Sequence, residues 1–115
     1  MKIRVTKASG EVLGYMVAKC EGVTILPKKR GGHFVTLNKG ETVLLRYSTD
    51  WAQAGPIIER ENISLAGKDP LHDCWAAMTQ YGTHKHEGHT PLIAAMRCYV
   101  ASKLGDEVDI PEGIL

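Results

Sequence analysis

Apolar positions along the chain fall into two helical stripes, with short alternating runs between them. In "SGEVLGYMVAKCEG", Val12, Leu13, Met16, Val17 and Cys20 recur at i, i+1, i+4, i+5, i+8, which predicts one buried helix face. Ser9 is placed as its N-cap. Glu11 stands in the first turn, where the helix dipole favours an acid, and Gly22 supplies the stop. Gly14 weakens such a helix by about 1 kcal/mol relative to Ala, so its face is expected to lie close to another element. The second stripe is "HTPLIAAMRCYVASKLG". Thr90 is placed as N-cap and Pro91 at the first helical position, and Gly105 lies just past the end. Leu92, Ile93, Met96, Tyr99, Val100 and Leu104 make its buried face, while Arg97 and Lys103 point elsewhere.

The remaining segments predict short strands and turns. Met1–Val5 alternates and is expected to form an edge strand. "VTIL" is β-branched and precedes a proline. "HFVTL" and "TVLLRY" flank "NKGE" as a hairpin. In "STDWAQAGPIIERE", Asp50 caps a turn starting at Trp51. Pro56 is poor inside a helix and good at its start, so a short helix is expected over 56–61, capped by Gly55. "NISLA" and "CWAAMTQY" suggest a second hairpin about the turn 67–73. The three histidines His84, His86 and His89 are expected to sit in a loop. The tail "DEVDIPEGIL" is expected to cross the surface in extended form. The sum is an α+β fold with two main helices packed on a small, mostly antiparallel sheet, plus a short middle helix.

At 115 residues the chain has room for one domain with a single core. A net charge of +1 gives no global field toward nucleic acid or an anionic membrane. The three cysteines, Cys20, Cys74 and Cys98, are odd in number and show no CxxC spacing. That argues against a disulfide framework and for a reducing compartment. Cys20 and Cys98 fall on the apolar faces of the predicted helices. No apolar run approaches the roughly 18 residues of a membrane span, and the N-terminus lacks a signal-peptide core.

Several residue groups could carry chemistry. His84, His86 and His89 offer imidazoles to zinc, with His72, Asp73 and Cys74 as further ligands if the fold brings them near. The H-x-H-x-x-H spacing is a weak signal beside H-E-x-x-H, and a solvated polar loop is the favoured reading. Cys74 or Cys98 beside a histidine would make a nucleophile pair, but neither sits in a nucleophile motif. Glu59 and Glu61 are two residues apart and would not face each other on a helix. Lys28, Lys29 and Arg30 form a basic run, shorter than the about 5–8 residues of a nucleic-acid patch. "YSTDWAQAGPIIERE" concentrates Asp50, Trp51, Gln53, Glu59 and Arg60. These residues suit recognition, and they suit capping, packing and ion pairing equally well. The helix start at Thr90–Pro91 adds an end friendly to anions.

Three stretches together resemble the NinX-like family of small bacteriophage proteins. They are "SGEVLGYMVAKCEG", "YSTDWAQAGPIIERENISL" and "HTPLIAAMRCYVASKLGDEVDIPE". The resemblance is weakest over about residues 23–46 and 67–88. Where the family usually has Gly-Pro before the Thr-Pro, this chain has Gly88-His89. The resemblance implies a phage or prophage origin and expression in the cytoplasm of a bacterial host. It brings no catalytic residue and no cofactor. The expected function is a non-catalytic accessory module that binds a host or phage protein, or a small ligand. Its site would be built from Asp50, Trp51, Glu59, Arg60, Thr90 and Arg97, with "STDWAQAGPIIERE" lying near the start of the last helix. A metal-dependent or thiol hydrolase on the histidines, and a nucleic-acid accessory protein using Lys28–Arg30, are the alternatives. A homo-oligomer is compatible with so small a domain.

Overall fold

The two apolar stripes become the helices α1, Gly10–Glu21, and α3, Pro91–Leu104, and a middle helix, α2, spans Trp51–Arg60. The structure is a computed structural model that describes residues 1–37, 40–68, 70–71 and 73–114. Among the described residues eight short strands complete the α+β fold: β1 Lys2–Arg4, β2 Thr24–Ile25, β3 Phe34–Thr36, β4 Thr42–Leu44, β5 Ser64–Ala66, β6 Trp75–Met78, β7 Lys85–Gly88 and β8 Glu107–Asp109. Where one small sheet was expected there are three, all antiparallel, ordered β1-β8, β2-β3-β4 and β5-β6-β7. Strands of two to four residues cannot reach across a shared sheet, so each group covers its own part of the helices.

The core is built around α3. Leu92, Ala94, Ala95, Met96, Cys98, Tyr99, Val100 and Ala101 are all buried, which is more than one stripe. The helix touches α1, α2, β5, β6, β7 and β8. Small residues on several faces allow this: Ala94, Ala95 and Ala101 let neighbours approach from directions that larger side chains would block. The cap is as expected, since the Thr90 hydroxyl accepts from the Ile93 N–H at 3.1 Å. α1 ends at Gly22, whose φ of 69° is left-handed. At its start Ser9 holds the cap position without a side-chain hydrogen bond. The close approach expected at Gly14 is made by Leu45, whose Cγ would stand 3.3 Å from an added Cβ.

Four expectations need correction. First, α2 begins at Trp51, so Pro56 lies in the helix interior. Proline there removes the N–H that would bond the Ala52 carbonyl and crowds that carbonyl. Ala52 is exposed, so water can reach it. Gly55 has no Cβ to clash with the Pro56 ring and can stay helical before it. Second, α2 stops one residue earlier than expected, and Asn62, at φ 53°, turns the chain out. Third, the histidine segment is only partly loop: Lys85–Gly88, which holds His86 but not His84 or His89, is a strand pairing with β6, Ala77 opposite His86. Fourth, the C-terminal tail is tied in, because β8 pairs β1 with Ile3 opposite Val108, and Val108 and Ile110 are buried. The loop residues Asn38 and Lys39 of the expected "NKGE" turn, and Asp69 and His72 of the turn over 67–73, lie outside the described residues.

Gly88 marks the tightest approach between strand and helix. A Cβ there would stand 2.7 Å from the Ala94 nitrogen and 2.7 Å from Ile93 Cγ2. Backbone nitrogen in a helix cannot yield without unwinding the first turn of α3. Gly88→Ala is therefore expected to lower stability by about 1–3 kcal/mol, the usual range for overpacking. A urea titration checks this: the midpoint should fall while the slope stays constant.

Candidate functional site

"STDWAQAGPIIERE" was the richest recognition candidate, and α2 is held firmly at both ends. At its start the Asp50 carboxylate accepts from the Ala52 N–H at 2.9 Å. Gln53 clasps the chain leaving β4: its Oε1 accepts from the Arg46 N–H at 2.8 Å, and its Nε2 donates to the Leu44 carbonyl at 2.6 Å. The inner face buries Ala54 and Ile57. At the far end Arg60 donates twice to the Glu21 carboxylate, at 3.1 and 2.7 Å, and through Nε to Glu61 at 2.9 Å. It also donates to the Tyr99 hydroxyl at 3.1 Å, with its guanidinium 5.8 Å from that ring. The Tyr99 hydroxyl in turn donates to Glu21 at 2.5 Å. Lys103 closes the cluster on Glu61 at 3.1 Å.

This clasp joins the C-terminal ends of α1, α2 and α3. Glu21 lies in the last turn of α1, where the helix dipole disfavours an acid. The fork of Arg60 offsets that with two parallel hydrogen bonds. The Glu61 carboxyl is held below its ordinary 4.5, chiefly by its hydrogen bond from Arg60 and then by Lys103. Burial and the bond to Glu21 push the Tyr99 phenol well above its usual range. Four of the five Arg60 N–H donors are thus committed within this cluster.

The six residues of the expected site do not converge. α2 meets α3 through Arg60 and Tyr99, and through Glu61 and Lys103, in the C-terminal half of α3. Thr90 is nine residues earlier, about 13 Å along the helix axis, and is committed to its cap. Arg97 is partly buried and ties two segments together, its Nε donating to the Ala8 carbonyl and its Nη1 to the Glu87 carbonyl, both at 2.8 Å. Trp51 and Glu59 remain on the outward face of α2. Trp51 is 53% exposed, and Ala52, Pro56 and Glu59 are exposed beside it. Next to the start of α2 lies a groove of about 510 Å³ between that helix and the β3–β4 hairpin, lined by Leu37, Glu41, Val43, Arg46, Asp50 and Gln53 among others. The Arg46 guanidinium is exposed there and makes no hydrogen bond or ion pair among the described residues. The sequence reading passed over Arg46, and only its place one step beyond the buried Leu45 signals that it points out.

The other candidates scatter. His84 and His86 share one wall of a polar cavity of about 650 Å³ with Arg4, Asp106 and Glu107, and His89 is not part of it. A strand puts residues i and i+2 on one face, and His89 lies beyond the close-packed Gly88. Among the described residues no three His, Cys, Asp or Glu side chains gather as a metal cluster. Burial pushes the His86 pKa down. The basic run forms a tight turn in which Lys29 and Gly32 exchange backbone hydrogen bonds at 3.0 Å, and Lys28 stands 3.7 Å from Glu11. All three thiols are pushed up. Cys20 goes to about 12, mainly by burial, and Cys98 also rises by burial. Cys74 rises because it donates to the Glu87 carboxylate at 2.8 Å. A raised thiol holds little thiolate at neutral pH and is a poor nucleophile.

Two outcomes follow. Alkylation by iodoacetamide at pH 7 should be slower at each cysteine in the folded chain than in the denaturant-unfolded chain, read by mass spectrometry. Glu61→Gln should lower stability at pH 7 by up to about 1 kcal/mol, given the partial exposure of its partners. A carboxyl whose folded pKa is depressed stabilises the fold above its unfolded pKa and loses that contribution as pH falls through the folded one. The gap between wild type and Glu61→Gln should therefore close as pH drops below 4.5, in parallel urea titrations.

Among the described residues no helix is long and apolar enough to cross a membrane. No curated protein matches the chain. The family described as Bacteriophage P22, NinX, matches residues 4–103, which takes in all three helices and seven of the eight strands at least in part. The chain thus belongs to the NinX family of bacteriophage P22.

Proposed function

We propose that this phage-family protein is a non-catalytic accessory module that works inside the host cell by docking a host or phage protein on the outward face of α2. The observation that carries this reading is Trp51, 53% exposed on a helix pinned at both ends. A large aromatic side chain on a rigid element offers contact area at low entropic cost, which is how binding anchors work. Around it Ala52, Gly55 and Pro56 are small or compact, so a partner can lie close to the helix. Arg46 and Glu41 border the adjoining groove and can set orientation by charge. Arg60 supports this surface by fixing the C-terminal end of α2.

The test is affinity capture from infected or lysogenic host lysate with the wild type and with Trp51→Ala/Glu59→Ala. Both positions are exposed, so the variant should keep the wild-type melting temperature. The partner held by the wild type should be lost or weakened at least about tenfold, the scale of one interface anchor. Equal capture by the folded variant would remove α2 as the docking face.

A further inference from the structure

The docking face on α2 adjoins an open sheet edge. β4 is an outer strand in the order β2-β3-β4. Its register sets Leu44 opposite Phe34, Val43 opposite Val35 and Thr42 opposite Thr36. Two bonds fix the phase of this ladder. The Leu45 N–H donates to the His33 carbonyl and the Leu37 N–H to the Glu41 carbonyl, both at 2.8 Å. In an antiparallel pair, bonded and non-bonded positions alternate. Glu41, Val43 and Leu45 therefore turn their backbone toward β3, and Thr42 and Leu44 turn theirs to the open side. Among the described residues the Thr42 N–H, the Thr42 carbonyl and the Leu44 N–H make no hydrogen bond.

The edge is closed at one end only, by Gln53 of α2. Its Nε2 donates to the Leu44 carbonyl at 2.6 Å, and its Oε1 accepts from the Arg46 N–H at 2.8 Å. A carbonyl at one residue and an N–H two residues later form the pair that one residue of a parallel neighbouring strand takes up. The Gln53 amide thus stands in for such a residue beside Leu45. One step back, beside Val43, the equivalent pair is free: the Thr42 carbonyl and the Leu44 N–H. An antiparallel neighbour bonded at Leu44 would need the carbonyl that Gln53 holds. Gln53, Leu44 and Arg46 also line the groove of about 510 Å³, so groove and open edge adjoin. Charge is ordered along β4, with Glu41 at its start and Arg46 past its end. Asp50, also in the lining, is engaged in the α2 cap. The β7 edge offers no such run, since its Glu87 carbonyl accepts from Arg97 and the neighbouring His84 carbonyl from the Cys98 thiol.

We infer that the partner docks here with an extended segment of its main chain, added parallel to β4 and ending at Gln53. This rests on the α2 reading and names the form the partner takes. One residue of the segment lies beside Val43, donating its N–H to the Thr42 carbonyl and accepting from the Leu44 N–H. The residue two before it accepts from the Thr42 N–H. In strand addition the main chain supplies affinity and the side chains supply selectivity. The segment is β-branched beside Val43, basic beside Glu41 and acidic toward Arg46. A second copy of this chain fits less well, because a closed twofold pairing of two β4 edges runs antiparallel and calls on the Leu44 carbonyl.

The experiment titrates the isotope-labelled full chain with the peptide acetyl-Lys-Thr-Val-Asp-amide, followed by NMR. Amide shifts should centre on Thr42, Val43 and Leu44. The same peptide with N-methylvaline lacks the N–H for the Thr42 carbonyl and should bind about tenfold more weakly, as for one lost hydrogen bond. The reversed peptide, acetyl-Asp-Val-Thr-Lys-amide, should also bind more weakly. These arms use the unaltered chain, so no folding defect can intervene. Absence of shifts at millimolar peptide, shifts confined to other residues, or equal affinity for the N-methylated or reversed peptide would each overturn the assignment. In the lysate capture, Thr42→Pro removes an outward N–H at an exposed edge position, where proline is tolerated, and should lose the partner. Retention by Thr42→Pro with loss by Trp51→Ala/Glu59→Ala overturns strand addition and leaves the α2 face standing; retention by both overturns both. A wild-type dimer that Thr42→Pro makes monomeric overturns the partner segment in favour of a second copy.

Discussion

A helix buried on nearly every side constrains everything around it. α3 cannot be covered by one sheet of ordinary size in a chain of 115 residues, so it is covered in pieces. One three-stranded sheet lies along it, α1 and α2 meet it, and the two-stranded β1–β8 ribbon closes another side. Each piece is too small to be stable alone. Two side chains of α3 tie several of them together by reaching a backbone or an acid outside the helix. Arg97 does this for the segment before α1 and for β7 at once. Tyr99 does it for the ends of α1 and α2. Small residues allow the close contacts, with Ala94 against Gly88 as the tightest.

The same constraint explains why α2 tolerates an interior proline. Lost helical hydrogen bonding at Pro56 costs about 3 kcal/mol in an isolated helix. Here the cap at Asp50, the two-way clasp of Gln53 and the fork of Arg60 fix the helix at both ends. Burial of Ile57 holds the middle. What remains outside is a short rigid face with an exposed tryptophan. A free loop carrying the same residues would have to order itself on binding, at an entropic cost that this helix has already met in folding.

Local signals in the sequence were legible where a single element decides its own geometry. Thr90–Pro91, Gly22 and Asp50 are such cases, because caps and stops depend on the adjacent backbone. The α+β class and both long helices followed from periodicity. The failures occur where a distant element decides. Gly88 made the histidine segment look like a loop, but in the fold it is a strand residue that must be small because α3 lies against it. Pro56 looked like a helix start because nothing nearby in sequence shows that Gln53 and Arg60 hold the helix open around it. The helical period in 91–104 marks one apolar stripe, and nothing local says that Ala94, Ala95 and Ala101 are buried as well. The site suffered most, since joining Trp51 to Thr90 needed a packing order that puts the end of α2, not its start, beside α3.

Charge sorts the surface in a way that residue type alone does not. Arg60 and Arg97 both belong to the expected site, and both are bonded inside the fold, one to carboxylates and one to carbonyls. Lys103 is consumed by Glu61, and Lys28 by Glu11. Arg46 and Lys19 carry no such partner, and each borders a groove. A cation already paired must break a good interaction before it can bind anything else, and the exchange gains little. An unpaired cation at the edge of an apolar groove gives up only water. The grooves beside Lys19 and Arg46 each border such a cation. Both signs of charge line the histidine cavity, in Arg4, Lys85, Asp106 and Glu107, and also the α2 groove, in Glu41, Arg46 and Asp50, so in both any charged partner must match a pattern rather than a net charge.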